Sequence, residues 1–357
     1  MSHNNTFQVG TVSIVIPIFN AENTIQKSLN SLKKQSYQNI QVILVDDAST
    51  DQSVKHIEKI ISSDNRFQVV HQTQNKGASA ARNVGISHSH SEYLFFLDAD
   101  DWLEPNAIEM LVDLANQSNN DFVCASHIQN FDHKSIQKSD ESPQQDHVFT
   151  QKELTLYIKN YLKSPYLYTL FVHCWAKLYK LSYIKNNAIQ FNENLSQLED
   201  VNFNFQYLSH CTTVAYKSAF IYHHRISSFS QSLSTMTGKE ANAAKKTLVA
   251  YQAIKDFILS YDKEKLINAD KEIAHLFITT MIITIIRLCK SMINTPSMET
   301  YRKIAHITKS PEVCHNLSFY TPAKNESILI PFALKTKLPL FVLISGLIRV
   351  SILPSKK

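Results

Sequence analysis

Tyr93-Leu94-Phe95-Phe96-Leu97-Asp98-Ala99-Asp100-Asp101 passes from five apolar side chains directly into a segment with three acids. A short apolar run closed by charge predicts a buried strand whose carboxyl end meets solvent. Upstream, Val12-Ser13-Ile14-Val15-Ile16-Pro17, Ile40 to Asp46 and Phe67 to His71 read as further strands. Between them lie helical spacings: Ile25, Leu29 and Leu32, then Ser53 to Ile61, then Ala78 to Ser87. Strands alternating with helices predict an α/β fold with a doubly wound, mostly parallel sheet flanked by helices. In such sheets ligands bind outside the carboxyl ends of the strands. Here those ends carry Asp46, Asp47, Asp98, Asp100 and Asp101.

Farther out the pattern changes. A helix is expected from Glu104 to Leu114 and a short strand from Asp121 to Ser126, with Asp132 to His147 a loop or hairpin tip. Residues 151–235 mix aromatic-rich helices and strands, and from Lys239 onward the spacing is helical. Ile273 to Ile286 is the most apolar stretch; at 14 residues it falls below the ~20 needed to span a bilayer. Leu338 to Ile348 is shorter and is interrupted by Gly346. These shifts divide the chain into three expected parts, 1–110, 111–235 and a helical C-terminal region over 236–357.

The whole chain has 357 residues with 44% hydrophobic and 19% charged side chains, which excludes a disordered or fibrous protein. Five scattered cysteines with no C-x-x-C pair argue against a disulfide framework or zinc knuckle and fit a reducing compartment. The net charge of +5 is all in the tail. Lys335, Lys337, Arg349, Lys356 and Lys357 face no acid beyond Ser327, and without them 31 Lys and Arg balance 31 Asp and Glu. A nucleic-acid enzyme carries its basic patch on the folded body, so no nucleic-acid partner is expected. A neutral body with a basic, apolar tail suits a membrane surface, the alternatives being an ordinary C-terminal helix packed on the body or a dimer contact. The first residues lack the basic start and long apolar centre of a secretory signal, so a cytoplasmic location is expected, peripheral at the inner membrane face.

Asp98 and Asp100 form a hard-oxygen pair suited to Mg2+ or Mn2+, whose open positions a diphosphate fills. The plainer alternative is an acidic turn capping a helix at Trp102. Asp46-Asp47-Ala48-Ser49-Thr50-Asp51 offers carboxylates to a base N–H or to ribose hydroxyls, or else is a capped turn. Asn75 to Asn83 opens a helix of small residues in which Arg82 can face a uracil carbonyl or a carboxylate, or simply the surface.

Ser13 to Asn20, Val45 to Asp51, Asn75 to Asn83 and Phe96 to Asp101, in that order and at those spacings, resemble the family 2 glycosyltransferases of the GT-A fold. The resemblance is dense over residues 11–110 and sparse to about 235; past about 240 no motif of the family is visible. It implies that Pro17, Phe19 and Glu22 line a nucleoside pocket and that Asp47 and Arg82 read a pyrimidine, with Asn83 beside them. It implies Asp98 on the ribose or metal side and Asp100 on the metal of the sugar diphosphate. Gln197-Leu198-Glu199-Asp200 resembles the family's Glu-Asp pair, with Asp200 as general base and Glu199 positioning the acceptor; a helix N-terminus favoured by acids is the alternative. Tyr222-His223-His224-Arg225, with Ser230, Ser232 and Ser234, resembles the segment closing over the diphosphate. Arg225 would meet phosphate, and one of the two histidines, His224, would be a third metal ligand. Trp175 resembles an acceptor-side residue, although core packing suits it as well. Ala48 stands where the family often has glycine.

The resemblance therefore implies an inverting, metal-dependent transfer from a nucleotide-sugar, UDP-linked, to a saccharide or lipid-linked saccharide acceptor in surface polysaccharide assembly. Nucleotidyl transfer fits less well, because Ile18 to Thr24 has neither glycine nor a basic residue. A non-catalytic nucleotide-sugar or glycan binder on the same fold is the remaining alternative.

Overall fold

The computed structural model describes residues 7–131, 134–138, 143–226, 243–322 and 328–352. The expected serines 230, 232 and 234, and the tail lysines 356 and 357, lie outside them.

The chain divides into two compact units. The first holds β1 (Gln8–Ile18), α1 (Ile25–Lys33), β2 (Ile40–Asp46), α2 (Ser53–Ile61), β3 (Phe67–His71), α3 (Ala78–His88), β4 (Ser91–Phe96), β5 (Trp102–Leu103) and α4 (Ala107–Gln117). It continues with β6 (Phe122–Phe131), β7 (Ser135–Lys138), β8 (His147–Phe149), the first half of α5 (Gln151–Lys163), β9 (Lys177–Lys180), α6 (Leu181–Asn186), α7 (Glu199–Leu208) and β10 (Val214–Ile226). The sheet order is β3-β2-β1-β4-β9-β6-β10-β5. β3, β2, β1 and β4 are parallel, as are β6 and β10, and β9 runs antiparallel between β4 and β6. The α/β sheet expected from the alternation is therefore present. It runs without a break across residue 110, so the expected first and second parts are one body.

Local physics accounts for the element ends. β1 and β4 alternate little and are buried on both faces, as a central parallel strand covered by helices must be. α3 packs close on β1 because residue 85 is glycine: a Cβ there would sit 2.2 Å from Val15 Cγ1. Trp102 starts a two-residue strand rather than a helix, and α4 begins at Ala107, three residues past the expected Glu104. Of Asp132 to His147, the described residues include β7, which pairs antiparallel with β6 as in the hairpin alternative, and the start of β8. Ala48 has φ +59°, the left-handed conformation that glycine adopts freely and that costs alanine roughly 1 kcal/mol.

The second unit joins residues 158–165 and 194–198 to the chain beyond 231, and its described elements there are helices. These are α8 (Ala243–Tyr261), α9 (Ala269–Asn294), α10 (Met298–Lys309), α11 (Pro311–Asn316), α12 (Leu329–Lys335) and α13 (Pro339–Ile352). The helical C-terminal extension is thus present. Asn268 caps α9 by accepting from the Lys271 N–H, and Asp270 and Glu272 favour its first turn. The 14-residue apolar stretch is only the middle of this 26-residue helix. Ala269–Ile293 is long and apolar enough to cross a bilayer, yet half of its most apolar window is buried in the protein, as in a core helix. Gly346 does not break α13. It lets α13 press onto α9, where a Cβ would meet Cys289 Sγ at 2.4 Å.

Candidate active site

The acidic loop after β4 is held from two sides. On one side, Ser28 of α1 donates to the carbonyls of Ala99 and Asp101 at 3.0 and 2.5 Å. Ser28 sits one helical turn from Ile25 on the buried face of α1, so the helix spends an apolar position on fixing this loop. On the other side, Asp101 is buried and collects β10. It accepts from the Tyr222 hydroxyl at 2.6 Å, the Arg225 N–H at 2.7 Å and His224 Nδ1 at 3.3 Å. Asp101 is therefore the structural acid of the trio, and Asp98 and Asp100 are left to face the site.

Burial, with Asp101 and Asp98 as neighbours, pushes the Asp100 carboxyl up to about 7. A site that resists holding its negative charges suits a cation. The donors are hard carboxylate oxygens, which fit Mg2+ or Mn2+. Among the described residues no group of three His, Cys, Asp or Glu is already arranged around a metal. Such ions take one or two carboxylates and complete their shell with substrate phosphate and water. His224 turns Nδ1 to Asp101 and keeps Nε2 available, the pattern of a ligating histidine whose other nitrogen is held by a carboxylate. That bond raises His224 against the opposing effect of burial.

Arg82 of α3 connects the acidic loop to the start of α7. It is 5% exposed. One Nη donates to Asp98 Oδ1 at 2.8 Å and the other reaches Asp200 Oδ1 at 3.5 Å. The second oxygen of Asp200 accepts the Cys174 N–H at 3.0 Å. Asp98 and Asp200, far apart in sequence, thus share one guanidinium. Glu199 beside them is pushed up to about 7 by burial and by Asp200, with Arg82 opposing. Both acids also lie in the first turn of α7, so the helix-terminus role and the site role coexist.

The nucleoside-side expectations divide. Pro17 ends β1, Phe19 is 49% exposed, and Glu22 braces the neighbouring loop by accepting the Gln52 N–H at 2.9 Å. These three rim the carboxyl edge. Asp47 is 2% exposed and its oxygens accept from Gln72 Nε2, Lys76 N–H and Gly77 N–H at 2.7–2.9 Å. It pins the 72–77 turn, and the capped-turn alternative describes its present contacts. Asn83 likewise exchanges hydrogen bonds with the Phe191 backbone and Glu193, away from the rim. Arg82 faces carboxylates rather than open space. Trp175 is core, stacked between His173 at 4.4 Å and Tyr222 at 4.6 Å. Burial drives His173 down to about 3, so that ring is neutral.

Sequence reading passed over Tyr222 as an anchor, the Cys174 N–H and Lys27. Ser28, a polar residue on the buried face of α1, is the position near them that does carry a sequence signal. Lys27 lies over the Trp102 ring, 3.0 Å from its centroid, and no motif marks it.

Residues 13–186 match the family model described as glycosyl transferase family 2. A putative glycosyltransferase EpsH of Bacillus subtilis is 31% identical over 217 residues, 60% of each chain. A poly(ribitol-phosphate) beta-N-acetylglucosaminyltransferase TarS of Staphylococcus aureus is 26% identical over 267 residues, 74% of this chain and 42% of that one. The chain thus spans less than two thirds of the length of these relatives. The crystal structure of S. aureus TarS 1-349 in complex with UDP-GlcNAc has the same fold, with a TM-score of 0.68 at 16% identity over 94% of this chain and 90% of that one.

Proposed function

We propose that this chain, whose residues 13–186 match the family model described as glycosyl transferase family 2, is such a transferase and moves one sugar from a UDP-sugar to a saccharide hydroxyl with inversion at the anomeric carbon. The observation that carries this reading is the shared guanidinium: Arg82 brings Asp98, on the donor side, together with Asp200, which has a carboxylate oxygen to offer an acceptor. In one displacement the Asp200 carboxylate takes the acceptor's hydroxyl proton as that oxygen bonds the anomeric carbon. The bond from that carbon to the diphosphate breaks, the nucleoside diphosphate leaves, and Asp200 later returns the proton to solvent. Pro17, Phe19 and Glu22 seat the nucleoside, Asp47 and Asn83 fix the loops behind it, and Glu199 orients the acceptor. Asp98, Asp100 and His224 would hold Mn2+ or Mg2+, which when bound offsets the charge gathering on the departing diphosphate.

A fold neighbour in complex with UDP-GlcNAc supports the donor class, and a relative named a poly(ribitol-phosphate) beta-N-acetylglucosaminyltransferase supports transfer in polymer assembly. The measurement is a panel of UDP-, GDP- and dTDP-sugars with Mn2+, scored by release of nucleoside diphosphate. One UDP-sugar is expected to turn over, with activity falling to background in EDTA and returning with Mn2+. Turnover undiminished by EDTA removes the metal, and preference for a GDP-sugar removes the donor class. Tight nucleotide binding with no turnover across many acceptors is the result that favours the non-catalytic reading.

The second unit supports a peripheral location. Phe332 (61% exposed), Leu340, Ile344 and Ile352 stand out from α12 and α13, Lys335 and Arg349 lie on these helices, and Lys337 lies in the turn between them. Apolar side chains ringed by cations match an anionic lipid surface. This reading makes the enzyme a cytoplasmic one, peripheral at the inner leaflet and suited to a lipid-linked acceptor. Full-length protein is expected to float with anionic liposomes. Lys335→Glu, Lys337→Glu and Arg349→Glu together should leave it in the soluble fraction without unfolding it. Wild type that never floats ends the membrane reading.

A further inference from the structure

A cavity of about 530 Å3 in the first unit runs from Asp100 along α1, lined by Lys27, Lys34, Trp102 and Arg225 among others. Three of these side chains are cationic. Among the described residues, Lys27 and Arg225 make no ion pair with a carboxylate, and Lys27 is lowered by burial and then by the charge of Arg225. Two like charges held this close are unfavourable unless something fixes them or something anionic joins them.

Both are fixed. The Lys27 ammonium lies on one face of Trp102, and His223 stacks on that ring at 4.9 Å and 14°. His223 is held in turn by Glu104 at 2.7 Å. The Arg225 backbone is tied to buried Asp101. The ammonium of α1 rests on Trp102 of β5 and Arg225 ends the paired strand β10, so both cations line the one cavity that Asp100 also lines. Such preorganised cations bind an anion at little ordering cost, and a guanidinium matches phosphate oxygens in pairs.

We infer that Lys27 joins Arg225, the residue already expected to meet phosphate, in a clamp for a phosphate group, with Trp102 holding Lys27 in place. The inference rests on the proposed transfer for its sources: the phosphate belongs either to the donor's diphosphate or to a phosphate-bearing acceptor. Lys27 becomes a binding residue, and Trp102 and His223 its positioning residues.

The test uses the whole chain and its Lys27→Gln, Lys27→Arg and Arg225→Gln variants, titrated with inorganic pyrophosphate, UDP, uridine and glycerol 3-phosphate. Pyrophosphate should bind wild type, weaken with salt, and weaken about ten- to hundredfold in either Gln variant, with Lys27→Arg recovering most of the loss. Uridine affinity should not change. A parallel loss for UDP assigns the clamp to the donor. A loss for glycerol 3-phosphate with UDP unchanged assigns it to the acceptor. Pyrophosphate that fails to bind, or binds all forms alike, overturns the clamp even if a UDP-sugar is turned over. A clamp that responds to Lys27 while no nucleotide-sugar is turned over overturns the transferase reading and leaves the clamp standing.

Discussion

Asp200→Asn is expected to lower sugar transfer by about a hundred- to ten-thousandfold, the usual worth of a positioned general base. UDP affinity should stay within a few-fold of wild type. The substitution is nearly isosteric. An amide oxygen can still accept the Cys174 N–H that meets Asp200 at 3.0 Å, so the start of α7 keeps its place. Arg82 keeps Asp98 at 2.8 Å. What disappears is the ability to take a proton. Single-turnover rates, together with UDP titration, separate chemistry from binding. Transfer within a few-fold of wild type would remove Asp200 from the mechanism and leave the α7 acids as a helix terminus only.

Arg82→Met is expected to cost about 3–5 kcal/mol, the range for removing one partner of a buried ion pair. For a domain of this size that is a fall in Tm on the order of 10 °C. The cause is electrostatic. Asp98 and Asp200 lose their shared cation, and Glu199, already raised to about 7, loses a group that favours its ionised form. The sign of the pH dependence follows. Glu199 already holds its proton more tightly folded than unfolded, and more so without Arg82, so stability is lost as pH rises from the unfolded carboxylate pKa through the folded one. The gap between variant and wild type should therefore narrow in acid. A gap that is the same at pH 4.5 and pH 8 would make the loss one of packing. Arg82→Lys, which keeps the charge without the fork, should fall between the two.

Much of the first unit was legible along the chain because its signals are local. The apolar runs at Ile40 to Asp46 and Phe67 to His71, and the helix at Ser53 to Ile61, appear within those same bounds. The carboxylates sit at strand ends because an ionised group ends a run that is buried on both faces. The C-terminal helices were legible in kind and not in length. Ala269 to Asn294 carries polar residues that are compatible with a long helix, and hydropathy alone shows only its apolar centre. Gly346 reads as a helix breaker until α9 is seen beside it.

The order of elements, the carboxylates at the sheet's rim and the resemblance to a family were set by the sequence alone, since each depends on periodicity or on motifs within a few residues. Which acid does what was decided only in three dimensions. Asp47, Asp98, Asp101 and Asp200 are chemically alike in a one-dimensional string. Their donors come from Lys76 and Gly77, from Arg82, from Tyr222 and Arg225, and from Cys174, mostly distant in the chain. A carboxylate's role is fixed by what neutralises it and how much water it keeps, and both are properties of packing.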